Sequence, residues 1–118
     1  MATGLCHALV LTSSKDGVVC PEELLKFTCN ISSPYGIRIR WDLKLGGQKI
    51  DDLSLLGDVT SGSLNYQDHL FNATLLSTSP NILSTLTTTA VEELDGVIVE
   101  CIYTSTMMEM KQLQVASR

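Results

Sequence analysis

The sequence predicts an all-β domain, either a sandwich or a barrel. Short β-like runs are separated by turn residues along the chain, Thr and Ser are abundant, and only 18% of the residues are charged. Hydroxyl and β-branched side chains suit a half-solvated strand, whereas β-branched side chains lose rotamer freedom in a helix. The length fits one domain, residues 1–118, with residues 1–4 expected to be a disordered leader or an expression-derived start.

The predicted strands follow one another with boundaries good to a few residues. They span 5–12, 23–31, 37–44, 48–52, 68–77, 82–91, 97–104 and 108–116, with a further short strand near 57–60. Gly46 and Gly47 predict a two-residue hairpin turn. A single helical turn is compatible with 90–95, but consecutive Thr residues before it disfavour a longer helix.

Strand alternation assigns a buried side to four of these runs, because successive side chains point to opposite faces of a sheet. The inward sets are Leu25, Phe27, Cys29 and Ile31; Ile37, Ile39, Trp41 and Leu43; Phe71, Ala73 and Leu75; and Val97, Val99, Cys101 and Tyr103. Cys29, Trp41 and Cys101 are therefore expected in the core, together with Leu86.

The order of Cys29, Trp41 and Cys101 resembles the immunoglobulin fold, over residues 20–118 and with the spacing of a variable-type domain. The resemblance implies a two-sheet antiparallel immunoglobulin-like β-sandwich with a Cys29–Cys101 disulfide between the sheets and Trp41 packed on it. Such a bridge closes a loop of about 70 residues and is worth about 4–5 kcal/mol in the chain-entropy model. Two buried free thiols are the alternative.

Cys6 and Cys20 are left over if Cys29 pairs with Cys101, and they then pair by elimination. That bridge would staple the first strand to the turn before the second. The alternatives are one or two unpaired cysteines, or a bridge to a neighbouring domain.

Some features depart from the usual immunoglobulin pattern and argue against an antibody or T-cell receptor domain. Val99 stands where a tyrosine is expected, Gly96 directly follows Asp95, and no Arg stands where it would pair with Asp95. The residues Cys-Pro-Glu at 20–22 and Leu-Asp-Gly-Val at 94–97 resemble the corresponding segments of cell-surface immunoglobulin domains of early-branching animals. Those include receptor tyrosine kinase ectodomains and adhesion proteins.

Two N-glycosylation sequons begin at Asn30 and Asn72, and both asparagines point outward by the alternation above. In the inferred fold their strands share a sheet, so both glycans would cover one face and leave the opposite sheet free. The alternative is that neither site carries sugar.

In the immunoglobulin fold the opposite sheet holds strands C, C′, F and G, which correspond here to the runs 37–44, 48–52, 97–104 and 108–116. This sheet is predicted to bind a protein partner. Its outward residues are expected to include Arg38, Arg40, Asp42, Lys44, Ile98, Glu100, Ile102, Thr104, Met108 and Met110. Solvent-facing Ile98 and Ile102 with a charged rim resemble interface anatomy, and methionines adapt to irregular partner surfaces. A face covered by another domain, or scattered surface apolar residues, are the alternatives.

Other classes of function find little support. A net charge of −5 without a Lys/Arg run gives no basis for nucleic-acid binding, and no apolar run approaches the ~20 residues of a membrane span. His7 and His69 lack a nucleophile or orienting acid at a recognisable spacing. Asp51, Asp52 and Asp58 fit a solvated loop better than a calcium site. No enzyme activity, cofactor or metal is therefore expected.

The sequence thus predicts an extracellular recognition or adhesion module of a secreted or single-pass membrane protein. Its partner would be a protein, bound heterophilically or as a homophilic dimer through the G-F-C-C′ sheet. The alternative is a ligand-binding or spacer domain of a receptor tyrosine kinase or another multidomain ectodomain, with a kinase domain elsewhere in the parent protein left open. Cysteines and sequons indicate the extracellular side although no signal peptide is present, so the chain is expected to be an excised piece.

Overall fold

The structure, a computed structural model, describes residues 8–32, 34, 36 and 38–117. The described residues form nine strands and one short 3-10 helix, Glu92–Leu94. The strands are β1 (Ala8–Ser13), β2 (Leu24–Ser32), β3 (Ile39–Leu45), β4 (Gln48–Leu55), β5 (Ser61–Tyr66), β6 (His69–Ser77), β7 (Asn81–Thr89), β8 (Ile98–Ile102) and β9 (Met108–Gln112).

The strands form two antiparallel sheets, which confirms the predicted all-β sandwich. The five-stranded sheet has the order β1-β2-β7-β6-β5, and the four-stranded sheet has the order β4-β3-β8-β9. The second order places C′, C, F and G side by side, as the immunoglobulin resemblance implies.

The core lies between the sheets and is filled by the inward residues of the alternating strands. Trp41, Leu86 and Val99 are fully buried, and Phe27 is nearly so. The inward sets predicted on β2 and β6 are buried as well, and so are Val97, Val99 and Cys101 at β8. On β3, Ile39 and Leu43 are buried beside Trp41, while Ile37 of the predicted set lies outside the described residues. Tyr103 is only partly buried, because it follows the end of β8.

Two adjacent links join the sheets at the centre of this core. The Cys29–Cys101 disulfide has a Cα–Cα separation of 6.5 Å. Cys29 pairs in register with Ser84 on β7, and Cys101 pairs with Trp41 on β3. Beside the disulfide, the Trp41 indole donates a 2.9 Å hydrogen bond to Ser84 Oγ, which donates at 2.8 Å to the carbonyl of Thr74. The buried indole N–H is therefore satisfied across the sandwich.

Strand β5 differs from the expectation of a strand near 57–60. It begins at Ser61 and forms a hairpin with β6 through Gln67 and Asp68, which both have positive φ. In variable-type domains both extra strands join the G-F-C sheet, whereas here β5 joins the other sheet. A side chain at Gly62 would come within 2.9 Å of Leu53, so glycine lets β5 pack closely on β4.

The remaining turn predictions agree with the structure. Gly46 and Gly47 both have positive φ and connect β3 to β4 as a two-residue hairpin. The helical turn expected in 90–95 is the 3-10 helix at Glu92–Leu94.

Candidate interaction face of the four-stranded sheet

The outward side chains of β3, β8 and β9 stand in three rows across the four-stranded sheet. The rows are Arg40, Ile102 and Met108; Asp42, Glu100 and Met110; and Lys44, Ile98 and Gln112. These residues, together with Arg38 before β3, are called the four-stranded face below. Their positions follow from strand alternation and register alone.

The centre of the four-stranded face holds two buried carboxylates. Asp42 is 2% exposed and Glu100 is 1% exposed, although both lie on the outward side of their strands. The sequence expectation that Asp42 and Glu100 face solvent is therefore wrong for both residues, because alternation fixes the direction of a side chain but not its depth. Glu100 lies on a central strand beneath Lys44, whose ammonium lies 2.6 Å from its Oε1.

Asp42 and Glu100 are directly opposite each other in the register of β3 and β8. Like charges in that relation destabilise a sheet unless each is compensated. Arg40 compensates Asp42 with two hydrogen bonds, Nε to Oδ1 at 2.9 Å and Nη2 to Oδ2 at 3.2 Å. Lys44 compensates Glu100, but among the described residues neither oxygen of Glu100 accepts a well-oriented hydrogen bond.

On the outward side of β3, β8 and β9 the charges that remain accessible are cationic, whereas the neighbouring strand β4 adds the exposed Asp52 carboxylate, which is paired with Lys49. Arg38 is exposed, and the side chains of Arg40 and Lys44 are 37% and 31% exposed. The carboxylates beneath them hold two of these cations in place. A partner approaching the face therefore meets guanidinium and ammonium groups first.

The apolar part of the face also differs from the expectation. Ile98 and Ile102 are half-buried, whereas Met108 and Met110 on β9 are 40% and 54% exposed. The sequence predicted an apolar centre with a charged rim. The structure has a charged centre flanked by isoleucines, with the exposed apolar surface along β9.

A depression of about 440 Å³ opens over Glu100. Arg38 and Arg40 line it on one side, and Ile102, Tyr103 and Met108 line it on the other. The Tyr103 hydroxyl accepts a 3.1 Å hydrogen bond from the Gly36 amide, which ties the end of β8 to the loop before β3. The depression therefore combines fixed cations with apolar walls.

The outer side of the five-stranded sheet is different in kind. Both sequon asparagines are exposed there, Asn30 on β2 and Asn72 on β6. They pair with Leu83 and Thr87 on opposite sides of β7, which places them roughly 17 Å apart at ordinary strand spacings. A row of hydroxyls crosses all five strands between them: Thr12, Thr28, Thr85, Thr74 and Ser61.

One carboxylate from the four-stranded sheet accepts a backbone N–H at each edge strand of the five-stranded sheet. Glu109 Oε1 accepts the Leu11 amide at 2.8 Å on β1, and Asp51 Oδ2 accepts the Asn65 amide at 2.8 Å on β5. Asp95 Oδ1 likewise accepts a 2.8 Å hydrogen bond from the amide of Val115. This backbone N–H takes the place of the arginine that pairs with the corresponding aspartate in the usual immunoglobulin pattern. These contacts join residues far apart in sequence, and the residue pattern alone gave no signal for them.

Cys20 is exposed and has no disulfide partner among the described residues. Cys6 lies outside the described residues, so the Cys6–Cys20 bridge stays a prediction. Cys20 precedes β2, whereas Ala8 pairs with Ser32 at its far end. These ends are roughly 27 Å apart, and the two residues from Cys6 to Ala8 span at most about 7 Å. A Cys6–Cys20 bridge would therefore require β1 to lie differently from the pairing described here.

The structure adds little to a catalytic interpretation. His7 lies outside the described residues, and His69 Nε2 lies 3.6 Å from the exposed Glu93 carboxylate. Lys49 lowers the pKa of Asp52 through a hydrogen bond and its charge, while the pKa of Lys49 is raised in return. In residues 8–32 and 38–117, no cluster of His, Cys, Asp and Glu is placed to hold a metal ion. No helix in the described part of the chain could span a membrane.

No protein-family model and no curated protein sequence matches this chain. The structure itself is a two-sheet antiparallel sandwich with a buried disulfide, compatible with an immunoglobulin-like domain. Structural disulfides of this kind are typical of proteins that fold in an oxidising compartment.

Proposed function

We propose that this chain is an extracellular recognition or adhesion module of the immunoglobulin-like type that binds a protein partner through the four-stranded face. Its parent would be a cell-surface receptor or adhesion protein, or a secreted protein. The sequence resembles cell-surface immunoglobulin domains of early-branching animals, which include those of receptor tyrosine kinase ectodomains and adhesion proteins.

One observation carries the proposal: Asp42 and Glu100 are buried side by side at the surface of a sheet, beneath cations that point outward. Burying two carboxylates carries a large desolvation penalty, and apolar residues of similar size would often stabilise a fold at least as well. A role in positioning Arg40 and Lys44 for contact with a partner accounts for that arrangement. Exposed Met108 and Met110 add adaptable apolar area beside it.

The distribution of glycan acceptors supports the same face. Asn30 and Asn72 both lie on the outer side of the five-stranded sheet, and the four-stranded face carries no sequon. N-linked sugars at these asparagines would leave the four-stranded face accessible.

A spacer domain is the second candidate, and one observation favours it. Ile98 and Ile102 are half-buried, so the face offers less apolar surface than the sequence predicts. A spacer needs no binding at this face. A direct comparison of the two faces in a binding experiment therefore separates the two functions.

The experiment compares Met110→Glu with Leu76→Glu, because these side chains are 54% and 56% exposed on opposite sheets. Beads coated with the domain report homophilic adhesion, and a tetramerised domain screened against a panel of cell-surface ectodomains reports heterophilic binding. We expect M110E to abolish or strongly reduce binding and L76E to leave it unchanged. Equal loss in both variants, or no binding in either assay, would overturn the proposal in favour of a spacer.

A further inference from the structure

We infer that the group recognised at the four-stranded face is a carboxylate of the partner protein, held by Arg38, Arg40 and Lys44 in the depression over Glu100. This inference rests on the proposed function and specifies the chemistry of the contact. Asp42 and Glu100 act in it as positioning residues, which hold the cations and do not touch the partner.

The local charge balance is opposite in sign to that of the whole chain. The chain has 8 Lys and Arg residues against 13 Asp and Glu residues, for a net charge of −5. The depression has three cations, Arg38, Arg40 and Lys44, against two buried carboxylates. Three minus two leaves one positive charge, and the accessible charged groups on the described lining of the depression are all cations; the exposed Asp52 carboxylate on β4 lies outside that lining.

The three cations have hydrogen-bond donors to spare. A guanidinium has five N–H donors and an ammonium has three. Arg40 gives two to Asp42, and among the described residues Lys44 forms an ion pair with Glu100 alone. Arg38 is exposed and forms no ion pair within the described residues. A planar carboxylate accepts two parallel hydrogen bonds from a guanidinium and is attracted by the charge of an ammonium, which favours it over a neutral amide.

The buried carboxylates explain how the cations can bind a partner with a small loss of conformational entropy. An exposed Arg or Lys side chain loses conformational entropy when a partner orders it. Here the bidentate contact of Arg40 with Asp42 and the contact of Lys44 with Glu100 already restrain both chains. Ordering them beforehand lowers the entropy lost on binding, which is how preorganisation raises affinity.

The surroundings favour a single carboxylate on a protein over a polyanion. The walls of the depression include Ile102, Tyr103 and Met108, which suit apolar side chains next to the acidic group. The chain as a whole is acidic and would repel a nucleic acid or a highly sulfated glycan at long range. Within a Debye length of about 8–10 Å the local cations dominate, so a short acidic segment can still bind.

The test uses two matched peptides, N-acetyl-leucyl-glutamyl-leucine amide and its glutaminyl counterpart, titrated into the isotope-labelled domain and followed by NMR. We expect the glutamyl peptide to shift the resonances of Arg40, Ile102 and Met108 with a dissociation constant of about 1–10 mM, and the glutaminyl peptide to bind about tenfold more weakly. Arg38→Gln should weaken the glutamyl peptide about fivefold. The matched exposed cation on the other sheet, Lys26→Gln, should have no effect.

Equal affinity for the two peptides would overturn the carboxylate inference while leaving the face itself as a binding site. No shifts on this face up to about 20 mM peptide would overturn it as well. A sulfated oligosaccharide that shifts the same resonances more strongly than the glutamyl peptide would replace the protein carboxylate with a glycan. Failure of the proposed function is a separate result, since it is judged by M110E against L76E in the whole domain.

Discussion

The two outer faces of this sandwich are built on the same backbone geometry but present different surfaces. The five-stranded sheet presents an array of hydroxyls, from Thr12 to Ser61, with both glycan acceptors among them. The four-stranded sheet buries Asp42 and Glu100 beneath cations. Even on the five-stranded sheet, Thr85 on the central strand β7 is only 8% exposed. On the four-stranded sheet the long stems of Arg40 and Lys44 cover shorter acidic neighbours. Side-chain length and the position of the strand in the sheet therefore both decide how deeply an outward residue lies.

The Cys29–Cys101 disulfide joins the two sheets and therefore supports both outer faces. We expect the Cys29→Ala/Cys101→Ala double variant to lose about 4–5 kcal/mol of unfolding free energy, since a loop of about 70 residues is no longer closed. That loss is comparable to the whole stability of a small domain, so the variant should be largely unfolded at 37 °C. Urea denaturation followed by circular dichroism measures it. A loss below about 1 kcal/mol would show that packing around Trp41 suffices to hold the sheets together.

Removing one lysine from each face sharpens the comparison. Lys44→Met leaves the Glu100 carboxylate buried without a cation, and we expect a loss of about 2–4 kcal/mol. Lys26→Met, on the outer side of the five-stranded sheet, should change stability by about 0.5 kcal/mol or less. Urea denaturation of both variants gives the difference.

The double variant Lys44→Met/Glu100→Leu is the internal check on that result. Replacing both charges by apolar groups removes the buried carboxylate, so most of the stability should return. Equally small losses of unfolding free energy in K44M and K26M would mean that Glu100 is solvated. The contrast between the two faces would then disappear.

Ser84 links the sheets behind both faces. Ser84→Ala leaves the buried indole N–H of Trp41 without its acceptor, and we expect a loss of about 1–3 kcal/mol. The exposed Ser61→Ala on β5 serves as control and should stay within about 0.5 kcal/mol of the parent. Equal unfolding free energies for the two variants would show that the indole finds another acceptor.

The smallest expected effect is at the rim of the four-stranded face. The Lys49 ammonium holds the pKa of Asp52 below its ordinary value, so the stability from this carboxylate is present above its unfolded pKa and fades as the pH falls through the folded pKa. We expect Lys49→Met to raise the pKa of Asp52 toward the ordinary range, as measured by NMR titration. An unchanged pKa would show that the pair is not formed in solution.

Alternation along the strands predicted the direction of side chains well. It placed Cys29, Trp41 and Cys101 in one core and Asn30 and Asn72 on an outer side, because the period of two is imposed by the backbone itself. Direction could be predicted because it depends only on local geometry.

Depth and pairing could not be predicted in this way. The burial of Glu100 depends on Lys44 lying over it from a neighbouring strand. The position of β5 depends on a turn at Gln67 and Asp68, which lacks the glycine that usually marks such hairpins. The hydrogen bond of Ser84 comes from Trp41 in the other sheet. Each of these features is set by a partner distant in the chain or by an atypical turn.

Hydrogen exchange at arginine side chains tests most directly whether cations on the four-stranded face are held by buried carboxylates. The Nε–H of Arg40 is hydrogen-bonded to Asp42, while Arg38 is exposed and serves as the reference in the same spectrum. We expect the Arg40 Nε–H to exchange with water at least about tenfold more slowly than that of Arg38. Equal exchange rates at Arg38 and Arg40 would contradict the account.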